Sequence, residues 1–163
     1  SAEHKVPIFS ESELTRMADL HFILLVLSTL EEGGYFTQDN EVENYISKFN
    51  NEYPNFEQNR DLVSNVIIDI LDSELPLDSI WFRKSNFFSL VCELCFSGLS
   101  IVSIIEKLNE QEELILQNKN EDKETNIYAK YYSSMYAGTN SRTSRVNRSE
   151  FIRTQIIPAA NIV

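Results

Sequence analysis

Four arginines near the carboxyl end of the chain are the residues best suited to bind an anion. Arg142, Arg145 and Arg148 recur every third residue, so in a helix they lie along one side, and Arg153 extends the row. Four tyrosines and Lys130 stand just upstream. Arginine with interleaved aromatic residues is typical of a surface that contacts nucleic acid. We call these four arginines the arginine row.

The charge of the chain allows a second interpretation of the arginine row. The formal net charge is −11, of which residues 1–140 carry −14 and residues 141–163 carry +3. An acidic body repels phosphates, which argues against wholesale binding of nucleic acid or of an anionic membrane. In so acidic a protein, arginines also find carboxylates to pair with inside the molecule. The row therefore either contacts DNA or phosphate, or it pairs inward, and the sequence leaves both open.

Cys92 and Cys95 have the Cys-x-x-Cys spacing of zinc sites and of dithiol redox centres. A zinc site needs two more ligands, and the chain has no third cysteine and only His4 and His21. A redox pair stands at the start of a helix, whereas these cysteines fall inside an apolar helical stretch. We therefore expect two small core residues, with no disulfide, no metal and no other cofactor. His21 stands in the most apolar stretch, where we also expect a core residue.

The remaining polar residues give no catalytic signature. Four carboxylates crowd the end of one predicted helix without matching a cation-binding loop, and we expect them to be solvated: Asp69, Asp72, Glu74 and Asp78. The sequence contains no Gly-rich phosphate loop, no nucleophile elbow, no His-Glu-x-x-His and no paired-carboxylate motif. We therefore predict that the chain has no enzymatic activity of its own.

The elements that must hold these residues are predicted to be helices, organised around the stretch 10–34. Ser10 and Glu13 have the spacing of a capping box, which starts a helix. Residues 20–27 are apolar on every side except at His21. A helix that is apolar all round is buried all round, so we expect the other helices to pack around this one. Gly33 and its neighbouring glycine end it.

Apolar positions at helical spacing predict the remaining helices. They run over 42–49, over 57–75 up to Pro76, from a cap at Ser85 or Asn86 to Gly98, over 101–115, over 128–136, and over 141–157 up to Pro158. The polar stretch 117–126 is either a loop or solvated helix. The fold class is therefore all-α, a bundle of six or seven helices around a buried central helix, with 1–9 as a connector and 10–163 as one domain.

The longest apolar run falls short of the roughly 20 residues that a membrane span needs. The start of the chain also has no apolar segment typical of a secretion signal. We therefore expect a cytoplasmic protein without a membrane partner.

Three segments, taken in order, resemble a known family. They are ELTRMAD at 13–19, FRKSNFFSL at 82–90, and AGTN at 137–140 followed by SRVNR at 144–148. In this order they are similar to the helical region that follows the N-terminal domain in domain-of-unknown-function family 262. That family includes GmrSD-type modification-dependent restriction proteins and related phage-defence proteins. The resemblance covers roughly residues 9–157.

The resemblance implies a function that depends on another domain. In that family, nucleotide-binding and nuclease chemistry is attributed to a ParB-like N-terminal domain with an Asp-Gly-x-Gln-Arg type motif, which this chain lacks. The chain is then expected to be the non-catalytic accessory module that positions or regulates the ParB-like domain and contacts DNA through the arginine row. The alternative is a protein-interaction or oligomerisation bundle without a nucleic-acid role. The matched positions, to which the resemblance assigns no catalytic role, are Arg16, Asp19, Arg83, Phe87, Asn140, Arg145 and Arg148.

Overall fold

The predicted all-α class is confirmed. The computed structural model describes residues 18–35 and 55–160, and within these ranges every regular element is a helix. The α-helices are α1 (Ala18–Glu32), α2 (Phe56–Leu71), α3 (Lys84–Ser97), α4 (Ile105–Gln117), α5 (Ile127–Tyr136), α6 (Arg142–Phe151) and α7 (Ile157–Ala160). Short 3₁₀ turns span Ile80–Phe82 and Ile101–Ser103, and a π-helical segment spans Ile152–Ile156.

Three predicted features lie outside these ranges: the connector 1–9, the capping box of Ser10 and Glu13, and the helix over 42–49. None of the described helices combines the length and the apolar composition that a membrane crossing requires.

Within the described residues, the helix at the centre is α3 and not α1. All ten side chains from 86 to 95 are buried, and α3 packs against α1, α2, α6 and the first 3₁₀ turn. On α1, Leu27 is buried, whereas Ile23 and Leu24 are only half-buried. The side chain of Leu20 lies outside the described part. Phe22 and residues 25–29 of α1 are also buried, so the prediction that α1 is buried all round is wrong only at Ile23 and Leu24 among the described side chains up to Thr29.

Polar residues inside α3 explain why the sequence pattern favoured α1. Asn86, Ser89 and Glu93 interrupt the apolar run of α3, yet all three are buried. Buried polar groups are normally hydrogen-bonded, so such residues need partners from elsewhere in the fold. Asn86, Ser89 and Glu93 each have a partner on another helical element 45, 59 and 60 residues away in sequence, respectively, which periodicity along one helix does not reveal.

Glycines end α1 and α3 as predicted. Gly33 has φ 73°, and the N–H of Gly34 donates to the carbonyl of Thr29 at 3.2 Å, which is the long-range bond of a Schellman cap. Gly98 has φ 70°, and its N–H donates to the carbonyl of Leu94 at 2.9 Å. Residues with a Cβ rarely adopt this left-handed backbone, so glycine is favoured at both positions.

Other helix boundaries differ from the prediction. α2 ends at Leu71, four residues before the predicted end. α3 begins at Lys84 with Arg83 as its N-cap, so the caps predicted at Ser85 or Asn86 are wrong. Asn86 lies inside the helix, where its side chain bonds to other elements.

The polar stretch after α4 is a loop, which decides between the two alternatives that the sequence left open. The loop is closed by side-chain amides. Asn126 Nδ2 donates to Asn118 Oδ1 at 3.0 Å, and Asn126 Oδ1 accepts the N–H of Tyr128 at 2.9 Å. Asn126 therefore joins the two ends of the loop and caps α5.

The last helical stretch continues past Pro158. α6 runs into the π-helical segment, and α7 follows at once with Pro158 as its second residue. Proline has no N–H to donate to the carbonyl one turn earlier, yet the helical backbone continues through Pro158 to Ala160. The predicted end at Pro158 is therefore wrong.

Candidate functional site

The arginine row is divided between the interior and the surface. Ser141 caps α6 by accepting the N–H of Ser144 at 3.1 Å, which fixes where the row begins. Arg142, one residue later, is exposed. Arg145 and Arg148 lie one and two turns further on and are only 2% and 1% exposed. The three arginines lie on one side of α6, as their spacing predicted. That side is exposed at Arg142 and buried at Arg145 and Arg148.

Arg148 joins three separate parts of the chain. Its Nε donates to Ser89 Oγ on α3 at 3.0 Å, and its Nη1 donates to the carbonyl of Ser134 on α5 at 2.7 Å. Its Nη2 donates to the carbonyl of Thr139, before α6, at 2.9 Å. Burial lowers the pKa of the Arg148 guanidinium from its ordinary value. All three acceptors are uncharged, so directed hydrogen bonds hold this cation in place.

Glu93 is the buried carboxylate of the same region, with 1% of its surface exposed. Its Oε1 accepts the hydroxyls of Tyr35 at 2.7 Å and of Ser149 at 2.5 Å. Its Oε2 accepts Arg153 Nε at 2.7 Å. The Arg153 side chain is 53% exposed, so the ion pair leads from the interior to the surface. The hydrogen bond that Arg153 donates to Glu93 raises the pKa of Arg153, and burial raises the pKa of Tyr35.

Arg145 lies beside the cysteine pair. Its guanidinium carbon is 5.2 Å from the ring centroid of Phe88, within cation–π range. Cys92 and Cys95 are buried free thiols, as expected of core residues. Burial raises the pKa of Cys92, and burial raises the pKa of Cys95 from 9.0 to about 12. Because the thiolate is the reactive form, neither cysteine is an activated nucleophile.

A second set of polar contacts lies at the start of α3. Asn86 Nδ2 donates to the carbonyl of Ile80 at 2.8 Å, and Asn86 Oδ1 accepts the hydroxyl of Tyr131 at 2.9 Å. The Arg83 guanidinium carbon is 4.1 Å from the ring centroid of Tyr136. These contacts tie the amino end of α3 to α5.

The other positions matched by the family resemblance are spread over the molecule. Phe87 is fully buried, and its ring stacks on Phe82 at 5.9 Å between centroids. Asn140 is exposed in the turn before α6. Arg16, together with the side chains of Asp19 and His21, lies outside the described part of the chain.

Of these positions, Arg145 and Arg148 contact segment 82–90 from segment 137–148, and Arg83 contacts Tyr136 at the end of α5. Glu93 accepts three hydrogen bonds, as many as Arg148 donates, and the sequence did not single it out. A charged residue inside the apolar run of a helix is the signal that could have identified it, since a buried charge needs a partner.

The contacts of Arg148, Glu93, Arg145 and Asn86 join helices to one another. Among the described residues, only Gln111 Oε1 is a buried side-chain nitrogen or oxygen without a hydrogen-bond partner, and it lies on α4, outside these contacts. The same residues contain no group of three or more His, Cys, Asp or Glu side chains that could hold a metal ion. The four carboxylates Asp69, Asp72, Glu74 and Asp78 are all exposed, as expected of a solvated helix end.

Comparison of the chain with protein-family models, with curated proteins and with solved structures found no match. The function must therefore be argued from the residues and their geometry.

Proposed function

We propose that the chain is a non-catalytic helical module that positions or regulates a ParB-like domain, as the resemblance to family 262 implies. One observation carries the proposal: the buried arginines of segment 137–148 contact segment 82–90 inside the protein. Arg148 donates to Ser89 at 3.0 Å, and the guanidinium carbon of Arg145 lies 5.2 Å from the ring centroid of Phe88. A catalytic site would present such groups to a substrate, whereas here they join helices.

The same geometry argues against DNA binding by the arginine row. Arg145 and Arg148 are buried, and the Arg153 guanidinium is paired with Glu93. Arg142 is the member left exposed without a hydrogen bond or ion pair to another described residue. One exposed arginine on an acidic body gives little attraction for phosphates, because several contacts are needed for measurable affinity. The proposed module therefore acts through protein contacts.

Two activity measurements test the proposal. The purified chain should hydrolyse neither GTP, ATP nor DNA. Turnover that survives further purification, and that is lost on substitution of a residue in this chain, would contradict the proposal. Labelled duplex and single-stranded DNA should not bind at low salt, with Arg142→Ala as the matched variant. Salt-sensitive binding by the parent that Arg142→Ala removes would restore the nucleic-acid role.

The direct test is complex formation. A purified ParB-like domain from a family 262 protein, mixed with the chain, should co-elute with it in size-exclusion chromatography, and an unrelated protein of similar size should not. Separate elution at micromolar concentrations of both components would count against a positioning role.

A second candidate function is an oligomerisation bundle, and two exposed side chains favour it. Leu77 and Val102 lie in short links between helices and are 73% and 75% exposed. Exposed apolar groups mark contact surfaces when they cluster, and single ones are ordinary. Light scattering over a wide concentration range separates the two functions. A defined oligomer that Val102→Glu dissociates, while Val66→Glu merely unfolds the chain, would favour the second.

A further inference from the structure

Two adjoining cavities lie between α5 and α6. The first has a volume of about 260 Å³ and a polar lining that includes Lys123, Lys130, Ser133 and Asn147. The second has a volume of about 230 Å³ and a largely apolar lining, and the two cavities share Lys130 and Asn147. Ligand pockets begin at about 300 Å³, and each cavity is smaller than that, so a ligand of ordinary size has to extend over both.

The polar cavity presents donors that the rest of the described structure leaves without partners. The ammonium groups of Lys123 and Lys130 and the side chains of Ser133 and Asn147 make no hydrogen bond or ion pair with another described residue. Lys123 and Lys130 are exposed, and Ser133 and Asn147 are half-buried, so all four can reach a molecule that enters the cavity. A few polar groups that converge on a concavity fix the orientation of a ligand, and the donors of these four side chains suit a ligand rich in acceptors.

The charge around the polar cavity favours an anion. Two lysines and one carboxylate, Glu124, line it. Ser134 also lines it, and the carbonyl of Ser134 accepts Nη1 of the buried Arg148 at 2.7 Å. A guanidinium therefore stands directly behind the wall, and a buried charge is screened less than one in water. On an otherwise acidic molecule, this is a positive concavity.

The second cavity offers a surface for an apolar group. Ile127, Tyr131 and Phe151 line it, and Ile127 is 49% exposed. Glu150 also lines this cavity and would repel a second anionic group placed there. A ligand that fits both cavities therefore has one anionic end and one uncharged, largely apolar end.

We propose that the two cavities bind a small phosphate monoester with an apolar or aromatic organic group. The phosphate lies against Lys123, Lys130 and Asn147, and the organic group lies against Ile127, Tyr131 and Phe151. Charge-assisted hydrogen bonds to a dianion are stronger than those between neutral groups, which explains why two lysines and an amide favour phosphate. This binding site goes beyond the proposed positioning role and does not depend on it.

Calorimetric titration of the 163-residue chain with adenosine 5′-monophosphate tests the proposal. The monophosphate should bind more tightly than adenosine or inorganic phosphate, since each of these fills one cavity. Lys130→Gln should weaken binding about tenfold, the loss of one charge-assisted contact. Lys130 is exposed, so the variant should fold, which circular dichroism checks. Asn147→Asp places a negative charge between the cavities and should abolish binding.

Lys107→Gln is the matched control, because Lys107 on α4 pairs with Glu110 and lines neither cavity. It should leave the affinity unchanged. Equal weakening by Lys107→Gln and Lys130→Gln, equal affinities for the monophosphate and adenosine, or no binding at millimolar ligand would each overturn the proposal. Binding of a 5′-phosphorylated oligonucleotide far more tightly than the monophosphate would overturn it in favour of a nucleic-acid end.

Discussion

Arg148 combines a buried positive charge with three acceptors that point in different directions. A planar guanidinium can serve three such acceptors at once, whereas the single ammonium of lysine cannot reach all of them. Removal of the side chain leaves the hydroxyl of Ser89 and the carbonyls of Ser134 and Thr139 without this donor. Arg148 therefore has a structural role that no other cation can fill equally well.

We expect Arg148→Ala to lower the free energy of unfolding by about 3 kcal/mol, because buried acceptors lose a charged donor. Arg148→Lys should be nearly as damaging. Arg142→Ala removes the same charge from the exposed start of the row and should stay within about 0.5 kcal/mol of the parent. Urea unfolding measures all three. Equal midpoints for Arg142→Ala and Arg148→Ala would show that the buried contacts add nothing to stability.

The buried thiols predict how stability depends on pH. The pKa of Cys95 is raised from 9.0 to about 12 in the folded chain. Below the pKa of the unfolded chain, the thiol is protonated in the folded and in the unfolded state. Its protonation then costs the folded state no stability. Between about pH 9 and 12 the unfolded chain loses the proton first, so stability falls as the pH rises. The raised pKa of Tyr35 acts in the same direction.

Unfolding midpoints in urea should therefore decrease from pH 8 to pH 10, and Cys95→Ala should make the decrease shallower. A thiol reagent at pH 8 should modify the cysteines only in denaturant. Rapid modification of the native chain would contradict the assignment of both cysteines to the core.

At the scale of elements, sequence periodicity predicted which segments are helical. It did not predict which of these helices is buried most deeply. Gly33 and Gly98 end their helices because the backbone conformation at each is local, and local sequence specifies it. The depth of α3 could not be predicted in this way. Asn86, Ser89 and Glu93 each have a partner on another helical element, and the sequence of α3 alone does not reveal these partners.

The same limit applies to the candidate site. The spacing of Arg142, Arg145 and Arg148 correctly placed them on one side of a helix. Whether that side faces water or the core depends on Ser89 and on the carbonyls of Ser134 and Thr139, whose positions are set by tertiary packing. The sequence alone therefore gave two alternatives for the arginine row, and only the packed structure places Arg145 and Arg148 in the interior.

The central position of α3 predicts different costs for two leucine truncations. Leu90 on α3 is fully buried, so Leu90→Ala should cost about 2–5 kcal/mol through lost burial and a new cavity. Leu24 on α1 is half-buried, so Leu24→Ala should cost at most about 2 kcal/mol. Chemical denaturation of both variants measures the difference. A larger loss for Leu24→Ala would return the central role to α1.

At the scale of the whole molecule, three of the four arginines of the tail are buried or paired with a carboxylate. Arg145 and Arg148 are buried, and Arg153 is paired with Glu93. The surface is therefore more acidic than a uniform distribution of the net charge of −11 would make it. Repulsion among surface carboxylates opposes the compact state, and salt screens it.

Raising sodium chloride from about 20 to about 300 mM should therefore stabilise the fold by about 1 kcal/mol, which corresponds to a rise in melting temperature of about 2–4 °C. Differential scanning calorimetry at the two salt concentrations measures the shift. A melting temperature that falls with salt would mean that attractive surface ion pairs outweigh the repulsion.

The polar contacts of α3 also set the order in which a nascent chain can fold. Glu93 and Arg153 are 60 residues apart, and Ser89 and Arg148 are 59 apart. At ribosomal rates of about 5–20 residues per second, Glu93 is synthesised roughly 3–12 s before the arginine that pairs with it. During that interval Glu93, in the middle of α3, has no cation with which to pair, so its burial in an apolar core is unfavourable. The segment that contains Arg153, made 60 residues after Glu93, is therefore the one that allows the central helix to become buried.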